Sequence, residues 1–180
     1  MNPKLKPLVK AINRAPFCDP PAPWRKIAKI AVGGLTSVGF SREAELLLVV
    51  STQGRSVIDC NTGEVVERDR SEYEESYSNL VAEGVGVMCD EQVRITGMYG
   101  GGVANLTQDM WMCHELVLEF PESTLMLVEP GSCLYGSLYG QRGDFIKIGS
   151  ALELRAFGFS PTGQTLLIAT SSDLTIYNRN

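Results

Sequence analysis

His114 is the only histidine in the 180 residues. A hydrolytic triad needs a nucleophile, an imidazole and an orienting acid within reach of one another. Any such site in this chain must therefore be built on His114, with Asp109 as the nearest acid on its N-terminal side, and no G-x-S-x-G elbow is present to supply a serine. The five cysteines (Cys18, Cys60, Cys89, Cys113 and Cys133) are odd in number, widely spaced and form no C-x-x-C pair. That pattern speaks against a disulfide framework and a structural zinc site. It predicts mostly small buried apolar residues in a reducing cytosol. No apolar run approaches the ~20 residues of a membrane helix. The basic start, Met-Asn-Pro-Lys-Leu-Lys-Pro, leads into no apolar core or small-residue cleavage site. No secretory leader is expected, and the location is read as cytoplasmic. No cofactor motif stands out. Met98-Tyr-Gly-Gly-Gly-Val103 is glycine-rich, but no Lys or Ser/Thr follows at P-loop spacing, so a turn or close backbone packing is expected there. Asn105-Leu-Thr107 fits a glycosylation sequon, which matters only in a secreted chain.

The composition is that of an ordinary globular chain, 44% hydrophobic and 21% charged, and the length suits one domain. Its charge is segregated. Residues 1–30 carry seven Lys and Arg against Asp19 alone, a balance of +6, which leaves −11 for the other 150 residues. Within these, residues 64–91 hold nine acids against Arg68 and Arg70. Such a field governs partner choice and encounter rate rather than fold.

Leu5, Leu8, Val9 and Ile12 have helical spacing, with Pro7 in the first turn, and predict a short amphipathic helix within residues 1–15. The proline-rich stretch from Pro16 to Trp24 predicts a stiff connector, anchored on the domain surface by Trp24. The domain plan is thus a basic, proline-rich arm over residues 1–24 and one β-rich domain over 25–180. Strands are expected at Ile27–Val32, Leu35–Phe40, Glu45–Ser51, Ser56–Cys60, Glu64–Glu67, Gly86–Cys89, Gln92–Met98, Trp111–Phe120, Thr124–Glu129 and Phe145–Ile148, with a loop over 68–80.

The strongest signal is a repeat. Gly39–Ile58 aligns with Gly158–Tyr177 without a gap at an offset of 119 residues: Leu47 falls on Leu166, Leu48 on Leu167, Val49 on Ile168 and Val57 on Ile176. Phe40, Phe120 and Phe159 each precede a turn and an apolar strand, suggesting a period near 40 residues. Val38-Gly-Phe-Ser and Phe157-Gly-Phe-Ser-Pro-Thr-Gly, each leading into a hairpin, resemble blades of WD-repeat or YVTN-type β-propellers. The likeness covers about 45 residues, and it lacks the Gly-His pair and the Trp-Asp ending, Tyr177-Asn178 standing there. The fold class expected is mainly β, with antiparallel sheets built from repeated hairpins. Propeller-like blades and a twisted sheet or sandwich both satisfy the pattern.

The acidic segment Glu64–Tyr77 is the candidate binding surface, with Glu67, Asp69, Glu72, Tyr73, Glu74, Glu75 and Tyr77 as contact residues. Carboxylates around tyrosines steer a basic protein partner and give contact area at low entropic cost. The same surface repels nucleic acid, and the dilute basic arm is expected to bind neither nucleic acid nor membrane. A small acidic chain without an enzyme motif is similar in general character to bacterial immunity proteins. That resemblance implies non-catalytic neutralisation of a basic toxin, such as a nuclease, without metal or cofactor. A small hydrolase using Asp109 and His114, and a structural β-repeat module, are the alternatives.

Overall fold

The computed structural model describes residues 3–73 and 78–180. The chain divides into two compact units, one of residues 1–21 with 105–152, the other of 22–104 with 153–180. Among the described residues no helix is long and apolar enough to cross a membrane.

The first unit sets helix α1 (Lys6–Arg14) with a three-stranded antiparallel sheet, β11-β10-β9, of β9 (Met112–Glu119), β10 (Glu122–Val128) and β11 (Ile146–Ala151). Pro7 lies in the first helical turn, where its missing N–H costs nothing. Leu8 and Ile12, one turn apart, enter a core with Met126, Val128 and Leu134. Lys6, Lys10 and Arg14 are exposed. Phe120 at the β9–β10 tip is 92% exposed, so it is no counterpart of Phe159, which is 1% exposed.

The second unit is built on the repeat. The first meander is β2 (Leu35–Phe40), β3 (Leu46–Ser51) and β4 (Gly54–Asp59); the second is β12 (Leu154–Phe159), β13 (Thr165–Thr170) and β14 (Asp173–Asn178). Every strand of the second begins and ends 119 residues after its counterpart. Even the irregularity is repeated, the register slipping between Leu35 and Ser37 and again between Leu154 and Ala156. Gly39 and Gly158 are counterparts for one reason: a Cβ at either would stand 2.4 Å from a neighbouring carbonyl oxygen, that of Arg94 or Ala104.

The two meanders lie in different sheets. Each takes a further strand on the same side, β5 (Val65–Asp69) beside β4 and β1 (Arg25–Ala31) beside β14, and β8 (Thr96–Gly97) pairs with β2. Sheet orders are β5-β4-β3-β2-β8 and β1-β14-β13-β12, all antiparallel, and among the described residues no propeller or barrel closure is found. A hairpin of β6 (Val81–Glu83) and β7 (Gln92–Arg94) completes the unit.

The sheets share one core, and unlike faces meet in it. Leu47, Val49 and Ile58 of the first meander pack with Leu167, Ala169, Leu174 and Ile176 of the second. Leu167 and Ala169 are the counterparts of Leu48 and Val50, which point the other way, since side chains alternate along a strand. Leu48, Val50 and Val57 fill a second cluster with Ala82, Val85, Met88, Val93 and Ile95. β3 is therefore buried on both faces, which accounts for its unbroken run Leu-Leu-Leu-Val-Val. Polar bonds link the two sheets near one set of turns: Thr162 and Thr165 donate to Glu45, and Asn178 Nδ2 donates to Asn61 Oδ1 at 3.2 Å.

Three expectations need correction. The strand expected at Gly86–Cys89 is a 3-10 turn, Gly86–Met88. Gly86 takes φ +54°, and the turn lets Val85 and Met88 both reach the second cluster while Val87 faces solvent. Three of the five cysteines, Cys18, Cys89 and Cys133, are exposed rather than buried. Trp24 is 3% exposed and packs against Phe159 with ring centroids 5.5 Å apart, so it is a core residue and not a surface anchor.

Truncating a fully buried leucine removes its transfer free energy and leaves a cavity. Leu47→Ala and Leu167→Ala should each cost about 3 kcal/mol in denaturant melts, whereas Val87→Ala, at an exposed site, should cost under about 0.5 kcal/mol. Burial, aided at Cys60 by the charge of Glu45, pushes the Cys60 and Cys113 thiols up to about 12. A thiol reagent should therefore modify Cys18, Cys89 and Cys133 in the native protein, and Cys60 and Cys113 only after denaturation.

Candidate functional site

The acidic segment begins on β5, an edge strand whose register with β4 sorts its charges. Asp69 lies opposite Arg55, Arg68 opposite Ser56, Glu67 opposite Val57 and Val65 opposite Ile58. Glu67 and Asp69 thus share the face of Val57 and the second cluster, and Arg68 shares the face of Ile58 and the inter-sheet core. The alternating run Glu67-Arg68-Asp69-Arg70 becomes an acidic face and a basic one, because the period of a strand is two.

Arg55 organises the acidic face. Its Nη2 donates to Asp69 Oδ2 at 2.7 Å and its Nη1 to the Glu83 carbonyl at 2.9 Å. The guanidinium lies over the Tyr73 ring, 4.1 Å from the centroid. Its side chain is 11% exposed. The Tyr73 hydroxyl in turn accepts the Glu83 backbone N–H at 3.3 Å. Asp69 Oδ1 accepts both the hydroxyl and the backbone N–H of Ser71, at 2.7 and 2.9 Å. These bonds from Ser71, with the Arg55 guanidinium beside them, hold the Asp69 carboxyl down at about 2, against an ordinary 3.8. Glu67 lies over Gly86, where a Cβ would sit 2.1 Å from its Cγ.

Of the residues expected to form the surface, Glu67, Asp69 and Tyr73 are half-buried around Arg55 and the 3-10 turn, and Glu72 is exposed. Glu74, Glu75 and Tyr77 lie outside the described residues. Glu72 and Tyr73 also line a groove of about 350 Å³ with the β3–β4 turn, Arg70 and Ser71. Sequence reasoning missed Arg55, which is 14 positions from its partner. The signal was present: the Asn61-Thr-Gly63 turn closes a hairpin that sets 55 against 69.

His114 sits on β9 opposite Met126. It shares its face with Met112, Leu116 and Leu118, which pack on the core of the first unit. Its Nε2 is buried without a hydrogen-bond partner, its ring stands edge-on to Tyr135 at 6.5 Å, and burial lowers its pKa. Cys113, adjacent in sequence, points to the opposite face. Asp109 lies in the Thr107–Met110 turn, and no carboxylate bonds the imidazole nitrogen. Among the described residues no group of three or more His, Cys, Asp or Glu is placed to hold a metal. Against known proteins, the chain matches no family model, no curated protein and no solved structure.

Arg55→Ala removes two charge-assisted hydrogen bonds and a cation–π contact from a largely buried position. It should cost about 2 kcal/mol, with loss of the Tyr73 ring-current shifts. The Asp69 carboxyl is depressed in the fold, so its contribution is present above 3.8 and is lost as pH falls through about 2. Carboxyl NMR titration should find Asp69 titrating near 2, and Ser71→Ala should move that midpoint up.

Proposed function

We propose that this chain is a non-catalytic protein-binding protein of the immunity type, which neutralises a basic toxin, such as a nuclease, through the acidic face carried by residues 67–77. The observation that supports it most is the Arg55 clamp. One guanidinium ties down Asp69, the Glu83 carbonyl and the Tyr73 ring. The base of the acidic segment is then fixed before any partner arrives, and less ordering entropy is lost on binding. Asp69 and Tyr73 serve as supports in this reading, and Glu72 with the acids that follow it makes first contact. Val66 on the edge strand, 41% exposed, adds apolar area beside the charge. Excess carboxylate on one face accelerates encounter with a basic surface and loses that advantage in salt.

A second reading has its own support. Two meanders with identical strand bounds stack unlike face on unlike face, and β1, from the N-terminal side, completes the later one. Four-stranded antiparallel units stacked in this way are the building principle of β-propeller blades. A structural β-repeat module that presents loops to a partner is consistent with that geometry.

The protein should retain a basic protein from a native lysate, and co-expression should relieve that protein's toxicity. A variant with Glu67, Glu72, Glu74 and Glu75 changed to Gln should lose the partner and remain folded. Each contact anchor is worth ~2 kcal/mol at a buried interface, so the loss should exceed about a hundredfold in Kd. Undiminished binding by that variant refutes the assignment of the face.

A further inference from the structure

Arg68 lies on the opposite face of β5 from Glu67 and Asp69. Arg68 and Arg70 line a recess of about 140 Å³ in the second unit, together with Arg55, the end of β1 and the β3–β4 turn. Its lining also includes Ile58 of the inter-sheet core, Ile30 at the margin of that core and Val65 of the edge strand. Both Arg68 and Arg70 are exposed, and among the described residues neither makes an ion pair. This is unexpected in a segment with nine acids and only these two cations. The nearest acid in sequence, Asp69, is committed to Arg55 and Ser71 on the other face of the strand. Two arginines therefore line one recess, and among the described residues no carboxylate is paired with either.

We propose that this recess is a binding site for a tetrahedral oxyanion, either free phosphate or the phosphoryl group of a phosphomonoester, held by the Arg68 and Arg70 guanidiniums. The planar fork of arginine presents paired N–H donors that match phosphate oxygens. The amide of Gln53 adds a neutral donor at the rim, its Nε2 lying over Gly33, 3.4 Å from where a Cβ would stand. The volume suits a group of a few heavy atoms, well below the roughly 300 Å³ of sites for larger ligands. The larger groove carrying Tyr73 and Ser71 shares Ser51, Gln53, Gly54 and Arg70 with the recess. The organic part of a phosphomonoester has room to extend there. The recess itself holds none of the acidic residues of the protein-partner reading, while the adjoining groove shares Glu72 and Tyr73 with it.

The test is an NMR titration of the full ¹⁵N-labelled chain at low salt with inorganic phosphate and, separately, O-phosphoserine, against sodium chloride at matched ionic strength. Saturable shifts at Gly33, Gln53, Gly54 and the arginine Nε–H signals are expected with both phosphates and not with chloride. Tighter binding of O-phosphoserine assigns the phosphomonoester as ligand, and equal binding assigns the free anion. Arg68→Ala/Arg70→Ala, at exposed positions, should keep the melting temperature and weaken binding at least about tenfold. Arg68→Lys/Arg70→Lys, which keeps the charge and loses the fork, should fall between the two. Shifts that fail to saturate, that chloride reproduces, or that persist unchanged in the folded double alanine variant overturn the proposal. Glu67, Glu72, Glu74 and Glu75→Gln should leave phosphate affinity no weaker than in the parent chain, which separates failure here from failure of the acidic face.

Discussion

Leu167 and Ala169 of one meander packing on Leu47 and Val49 of the other is the contact on which the second unit depends. Because the repeats meet by unlike faces, each is a different environment for the same pattern of residues. The first meander is covered on both sides, by the second meander and by the β6–β7 hairpin with its 3-10 turn. This double burial leaves β3 and β4 little freedom. β4 in turn carries Arg55, so the residue that organises the acidic face stands on one of the most constrained strands in the unit. β5 has no such protection on its outer edge, and there the chain leaves the sheet for the acidic segment. The order of rigidity therefore runs from core to edge, which suits a surface that must be both positioned and accessible.

The net charge conceals how the charges act. Averaged over the sequence, residues 64–91 are acidic and repel anions. Resolved by face, Glu67 and Asp69 turn toward Arg55 and the 3-10 turn, and Arg68 and Arg70 turn toward the recess beside β1. Four consecutive residues, Glu67 to Arg70, carry both signs at the end of β5. The two surfaces we propose, of opposite preference, both draw on this one edge strand. The electrostatic statement that holds for a domain does not hold for a site a few ångströms across, because screening and strand geometry act on that shorter scale.

Much of the architecture was legible. The helix followed from apolar spacing and an early proline, the three strands of the first meander end within two residues of where they were expected, and the repeat pointed to the second meander. β2 was read without error, since Gly33-Gly34 and Ser41 bracket a pure β run. What failed did so for identifiable reasons. Val87 and Met88 look like strand residues, but Gly86 in a left-handed conformation turns the chain into a 3-10 turn so that Val85 and Met88 share one cluster. β6 was hidden because Val81-Ala82-Glu83 is too short to show alternation, and it exists only through pairing with β7. The exposure of Cys18, Cys89 and Cys133 follows from their places in a connector, at a turn end and in a loop, which cysteine composition does not reveal.

At the candidate site the division is sharper. Local sequence determined that residues 64–77 would be acidic and tyrosine-bearing and that the hairpins would repeat, whereas the strand expected to stop at Glu67 continues as β5 to Asp69. The acidity and the repeat are properties of neighbours along the chain, set by composition and by the two-residue period of a strand. That Arg55 would meet Asp69, Tyr73 and the Glu83 carbonyl required β4, β5 and β6 to be brought together. That Arg68 and Arg70 would line a recess required β1, from the start of the chain, to sit beside a sheet made far from it in sequence. Pairings of that kind are decided by which apolar faces bury one another, and only the packed core settles it.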